Sequence, residues 1–129
     1  MNIKLISLIM LSLYSFCFAK ENNCKDFKKG TFELNSVDGS THIITRTKNK
    51  QIERVGRTGS IFEFDIKWRD DCSYILYNRK MIKGVDEFSE YKIDTLYNKV
   101  IGVDGKNFKV LTTIKEFDFE VEAVMKKVK

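Results

Sequence analysis

Ile61-Phe62-Glu63-Phe64-Asp65-Ile66-Lys67-Trp68 alternates apolar and charged residues without a break. Phe62, Phe64, Ile66 and Trp68 fall on one side of an extended chain, and Glu63, Asp65 and Lys67 on the other. A period of two with one apolar and one wet face is the mark of a half-buried strand, and such strands belong to antiparallel sheets. The pattern recurs downstream. Phe108, Val110, Thr112 and Ile114 form one row, and Phe117, Phe119, Val121, Ala123 and Met125 form another, backed by Glu116, Asp118, Glu120 and Glu122.

Turn chemistry separates these runs. Asp38-Gly39 and Asp104-Gly105 suit two-residue hairpins, whose central positions need positive φ. Asn49-Lys50 is a weaker turn signal, and Asp70-Asp71 reads as a tight turn between Trp68 and Cys72. Strands are predicted near 30–36, 42–48, 51–57, 61–68, 73–78, 92–102, 107–114 and 117–126, with a longer loop or short helical turn over 79–91. The chain has no proline and no Gly/Ser-rich linker, so nothing divides it.

The fold class is therefore all-β. Seven to eight consecutive antiparallel strands cannot stay flat without leaving open edges and an unburied apolar face. They are expected to curl into an up-and-down meander, a small barrel or half-barrel, with a β-sandwich as the alternative. Nearly every connection is too short for a crossover. This architecture resembles the lipocalin-like (calycin) barrels. The Gly-x-Trp signature of that family is absent, Gly30-Thr31-Phe32 having only its flavour, so an apolar ligand is not implied by the resemblance.

Residues 1–19, MNIKLISLIMLSLYSFCFA, read as a secretory signal. Lys4 supplies the positive start, Leu5 to Tyr14 the apolar run, and Cys17-Phe18-Ala19 a small-x-small cleavage pattern. The run is shorter than the roughly twenty residues that cross a bilayer. Lipidation at Cys17 is a weaker alternative, since bulky Phe16 precedes it. Cleavage near Ala19 leaves a single domain, residues 20–129, in a secreted or periplasmic location with no stable membrane insertion. Chemistry driven by ATP or nicotinamide cofactors has no place there.

Of three cysteines, cleavage leaves Cys24 and Cys72. In an oxidising compartment an isolated pair in a small domain reads as one disulfide. Two distant thiols and one histidine do not supply a zinc site. The formal net charge of +5 falls to +4 when Lys4 leaves, because every acid lies in the mature part. Basic and acidic residues are interspersed, unlike the basic face of a nucleic-acid binder, so no nucleic-acid partner is expected.

The run Cys24-Lys25-Asp26-Phe27-Lys28-Lys29-Gly30-Thr31-Phe32, followed by Ile44-Thr45-Arg46, Gln51-Ile52-Glu53, Ile66-Lys67-Trp68 and Asp71-Cys72-Ser73-Tyr74-Ile75-Leu76, resembles a group of small exported Bacteroidota proteins. The resemblance covers roughly residues 24–77 and implies no activity. Some members carry the label DNA topoisomerase IV. That enzyme needs a large multidomain cytoplasmic body, a tyrosine nucleophile and carboxylate-bound magnesium, which a short exported chain does not provide.

Within these motifs, Gly30 suits a bend or a close backbone approach, and Trp68 is expected to pack over the disulfide. Arg46, Gln51 and Glu53 fall on neighbouring strands. Arg46 and Glu53 are expected to pair across the hairpin, either as a cross-strand salt bridge or as a polar cluster at a ligand pocket where Arg46 meets a carboxylate or phosphate. Arg46, Trp68 and Tyr74 are the candidate ligand-binding residues, with Tyr77, Tyr91 and Tyr97 as further aromatics.

Catalytic constellations are missing from the sequence, and neither a cofactor nor a metal is expected. His42 has no recognised nucleophile or orienting acid and is expected exposed at the start of a strand. Asp65, Asp70 and Asp71 lack the spacing of a calcium loop and read as turn residues. The Glu116–Glu122 acids are expected to be balanced by Lys106 and Lys109. The reading is a non-enzymatic binding module for a small amphipathic or anionic ligand. The alternative is a protein-interaction module, an inhibitor or envelope accessory protein, using its outer face or an open sheet edge.

Overall fold

The computed structural model describes residues 21–86 and 90–129, so the expected leader, its cleavage site and Cys17 lie outside the described residues. Eight antiparallel strands follow one another in chain order round a closed barrel: β1 Gly30–Asn35, β2 Thr41–Arg46, β3 Lys50–Arg54, β4 Ile61–Trp68, β5 Ser73–Lys83, β6 Thr95–Asp104, β7 Asn107–Ile114 and β8 Phe119–Lys127. The up-and-down barrel, not the sandwich, is the architecture. Its inward face is the apolar side of each alternation: Phe32, Ile44, Phe64, Ile66, Leu76, Val100, Phe108 and Val110 form one core.

β5 runs on to Lys83 where the sequence predicts a loop. A β-bulge is the reason. Glu63 pairs with Lys80 and Asp65 with Tyr77, so Asn78 and Arg79 together oppose Phe64. Asn78 takes a left-handed conformation at φ 52°, and its amide donates to Asp65 Oδ2 at 2.8 Å. The extra residue shifts the alternation by one, turning Arg79 and Met81 inward where an unbroken period of two would have sent them to solvent.

The two ends of the barrel differ. The lower end is sealed by a 3₁₀ turn, Glu21–Phe27, whose Phe27 is fully buried between Phe32 and Phe108, at ring-centroid distances of 4.8 and 4.6 Å. A disulfide joins Cys24 to Cys72 in the β4–β5 turn and fixes this plug in place. Lys127 Nζ adds a hydrogen bond to Asp26 O at 2.6 Å. Gly30 sits beside the plug at φ 124°, and a Cβ there would lie 2.3 Å from Lys129 O, so a passing backbone requires glycine at this point.

The upper end is ringed by the turns after β1, β3, β5 and β7. The seam that closes the barrel is its shortest ladder. β1 and β8 pair only through Phe32–Lys127, Glu33–Lys126 and Leu34–Met125, while β7 and β8 pair along their whole length from Asn107–Lys126 to Ile114–Phe119.

Candidate functional site

A file of polar side chains runs through the interior from plug to mouth. At its lower end Arg46, 2% exposed, gives Nε–H to Gln51 Oε1 at 2.7 Å, Nη1–H to the Phe27 carbonyl at 2.8 Å and Nη2–H to the Tyr74 hydroxyl at 2.7 Å. Its guanidinium also lies against aromatic faces, 4.1 Å from the Phe27 centroid, 4.4 Å from Tyr74 and 5.8 Å from Trp68. Arg46, Trp68 and Tyr74 thus form one cluster, but Phe27 fills it. The guanidinium is spent on holding the plug, and Tyr74 is buried with it. Burial raises the Tyr74 hydroxyl above its ordinary pKa, against the pull of Arg46.

Arg46 and Glu53 do not pair directly. Register sets Gln51 opposite Arg46 and Ile44 opposite Glu53. Gln51, fully buried, bridges the two by accepting from Arg46 and donating Nε2–H to Glu53 Oε1 at 2.7 Å. Burial pushes the Glu53 carboxyl above the usual carboxylate range. The Gln51 hydrogen bond and the charges of Arg46, His42 and Arg79 oppose that rise.

His42 stands at the start of β2, as expected, but is half-buried rather than exposed. It alternates with buried Ile44 and Arg46 along β2, pairs with Leu34 and faces inward. Arg79, which no sequence signal marked, reaches across the Phe62 ring at 4.1 Å and forms a two-pronged ion pair with Asp86 at 2.6 Å for each prong. Asp86 lies in the segment after β5, so the pair ties that segment to the barrel wall. The bulge that redirects Arg79 is invisible to strict alternation. The role of Phe27 is hidden for a related reason, since a lone aromatic three residues after Cys24 has no period to reveal it.

Toward the upper end β8 is left partly uncovered. Phe119 and Val121 continue the inward row of β8 through the pairs Ile114–Phe119 and Thr112–Val121, yet they are 52% and 44% exposed. Phe117, in the 3₁₀ turn Lys115–Phe117, is also exposed and stacks edge-on against Tyr91 at 5.7 Å. The row expected to be core is therefore core only at Met125. β1 ends at Asn35, so among the described residues no neighbouring strand covers the upper part of β8 on that side.

The remaining aspartates make local contacts. Asp70 Oδ1 accepts from the Cys72 amide at 2.8 Å, Asp71 pairs with Lys28 at 3.0 Å and Asp65 is held by Lys50 and Asn78. Among the described residues no group of three His, Cys, Asp or Glu side chains gathers as a metal site requires. In the acidic row only Glu122 has an ion-pair partner among the described residues, Lys109 at 3.3 Å. Trp68 packs on Tyr74 at 4.7 Å, and its Nε1–H is buried with no acceptor among the described residues. Among the described residues no helix is long and apolar enough to cross a membrane. No family model, curated protein or solved structure matches the chain.

Proposed function

We propose that this barrel is a non-catalytic binding module that takes a small amphipathic ligand through its upper mouth. The observation that carries the proposal is the asymmetry of the barrel. Its lower end is packed and stapled, while its upper end leaves inward-facing Phe119 and Val121 half uncovered. Ligand sites are typically apolar concavities with a few placed polar groups. Here the apolar rim stands above Glu53 and His42. The ligand's apolar body lies against the rim and its hydrogen-bonding head points down the polar file.

An amphipathic head suits this geometry better than an anionic one. Arg46 and Arg79, the interior guanidiniums that would hold an anion, are engaged by Gln51, Phe27, Tyr74 and Asp86. The disulfide and the leader-like N-terminus support a secreted or periplasmic setting. Titration with N-phenylnaphthylamine, an uncharged amphipathic dye, tests the reading. Saturable one-to-one fluorescence enhancement is expected, weakened at least tenfold in Val121→Lys. Absence of saturable binding, or equal binding by the variant, overturns it. Native mass spectrometry of protein from its own host then identifies the resident molecule.

A further inference from the structure

We infer that the upper half of β8, Phe119–Val124, is a strand-addition site for an extended segment of another protein that alternates basic and apolar residues. β8 is fully paired with β7 on one side. On the other side, β1 accompanies it only as far as Met125. Beyond Leu34 the chain stays paired only with β2, and after Asn35 it folds into the Ser36–Ser40 turn, closed by Ser36 N–H to Ser40 O at 2.9 Å and Gly39 N–H to Ser36 O at 3.1 Å. Where β1 would have continued, alternate N–H and C=O groups of Phe119–Val124 point away from β7, and no strand meets them among the described residues.

Space for an added strand begins beside Glu122–Val124. A groove of about 540 Å³ lies along this gap, with Leu34, Ser36 and His42 on one wall and Glu122, Ala123 and Val124 on the other. Apart from the outward glutamates, this edge lacks the usual protections among the described residues. The ladder to β7 has no bulge, the segment contains no proline, and its inward side carries Phe119, Val121 and Ala123 rather than charge. An extended peptide bound by main-chain hydrogen bonds is what such an edge accepts.

Charge selects the occupant. The outward side of the segment presents Glu120 and Glu122, continuous with Asp118 and Glu116 in the preceding turn. Among the described residues only Glu122 is neutralised by an ion pair, with Lys109. A lysine or arginine on the added strand opposite Glu120 completes a cross-strand charge pair. The same row argues against a second copy of this chain. Two-fold antiparallel pairing of β8 with β8 keeps outward faces together, so it sets Glu120 against Glu122, or Glu122 against itself, and like charges directly opposite repel. Apolar residues at the alternate positions of the partner lie beside Val121 and Ala123.

The test follows amide shifts of the ¹⁵N-labelled protein on titration with a capped heptapeptide alternating lysine and valine. Saturable shifts are expected in residues 119–124. Binding is expected to weaken at least tenfold when glutamate replaces lysine, and at least tenfold when alternate peptide nitrogens are methylated, which removes the ladder donors. Glu120→Lys, an exposed change away from the core, is expected to weaken binding severalfold. Equal binding by the methylated peptide, an unaffected Glu120→Lys variant, shifts confined to other strands, no saturable shift, or a dimer of the chain formed through this edge would each overturn the inference.

Discussion

Replacing Arg46 by methionine keeps a long side chain between Phe27, Tyr74 and Gln51 but removes three donors at once. The Phe27 carbonyl, Gln51 Oε1 and the Tyr74 hydroxyl each lose a partner at 2.7 to 2.8 Å inside a site that is 2% exposed at Arg46. Leaving a buried acceptor unsatisfied costs about 1–3 kcal/mol. Relief of the cost of burying a guanidinium offsets part of the sum, and contacts with the Phe27 and Tyr74 faces are lost as well. The expected net destabilisation is about 3–5 kcal/mol, in line with breaking other buried charged networks. Urea unfolding followed by tryptophan fluorescence measures it, and at a slope of about 2 kcal/mol per molar the midpoint falls by about 2 M. Arg46→Lys keeps the charge but not the three-way fork, so it is expected to fall between the two. A methionine variant within 1 kcal/mol of the parent would refute the reasoning. So would intact stability with lost dye binding, because Arg46 would then serve a ligand rather than the plug.

Two further outcomes follow from the same end of the barrel and from the polar file. Replacing Cys24 and Cys72 together by alanine opens a cross-link spanning 48 positions in sequence and is expected to cost about 4 kcal/mol on the chain-entropy account; urea midpoints of the oxidised parent and the variant measure this, and a loss below 1 kcal/mol contradicts it. Glu53→Gln is expected to change the pH dependence of stability. Burial raises the Glu53 carboxyl in the folded protein, so the folded state keeps a proton that the unfolded chain has released. The parent therefore loses stability as pH rises from the unfolded carboxylate value to the folded one, by about 1.4 kcal/mol per unit of that window. Glutamine keeps the acceptor for Gln51 and removes this slope. Identical pH profiles for parent and variant contradict the assignment.

How much of this was legible in the sequence depended on whether a residue belonged to an unbroken alternation. β4 and β7 occupy the residues predicted for them, because Phe62–Trp68 and Phe108–Ile114 alternate to their ends and are bounded by turn residues. Gly30 was legible as a point of close backbone approach. β5 beyond Tyr77 was not, because the Asn78 bulge breaks the period. The disulfide partners were readable by count, but the plug around Cys24 was not, since a 3₁₀ turn with a single buried phenylalanine has no repeat. At the candidate site, Arg46, Gln51 and Glu53 were recognisable as a polar group on adjacent strands. Their order along the file depends on a hairpin register that Asn49-Lys50 does not specify. The exposure of Phe119 and Val121 was hidden for a different reason. It arises from where β1 ends, a fact about a strand some ninety residues away in the chain.

The meander also bears on how the molecule reaches this state. Seven of its eight ladders join strands adjacent in sequence, so each can form as a hairpin at small cost in loop entropy. The β1–β8 ladder is the exception, bringing together Leu34 and Met125, which are 91 positions apart (125 minus 34), through only three residue pairs. Rate is governed by such distant contacts. Closure of the barrel is thus expected as the late event in folding, with the hairpins and the stapled lower end already in place. The reverse holds on unfolding. The seam, the shortest ladder even though Thr31 extends it by backbone hydrogen bonds to Val128 and Lys129, is where the cylinder is expected to reopen first into a sheet.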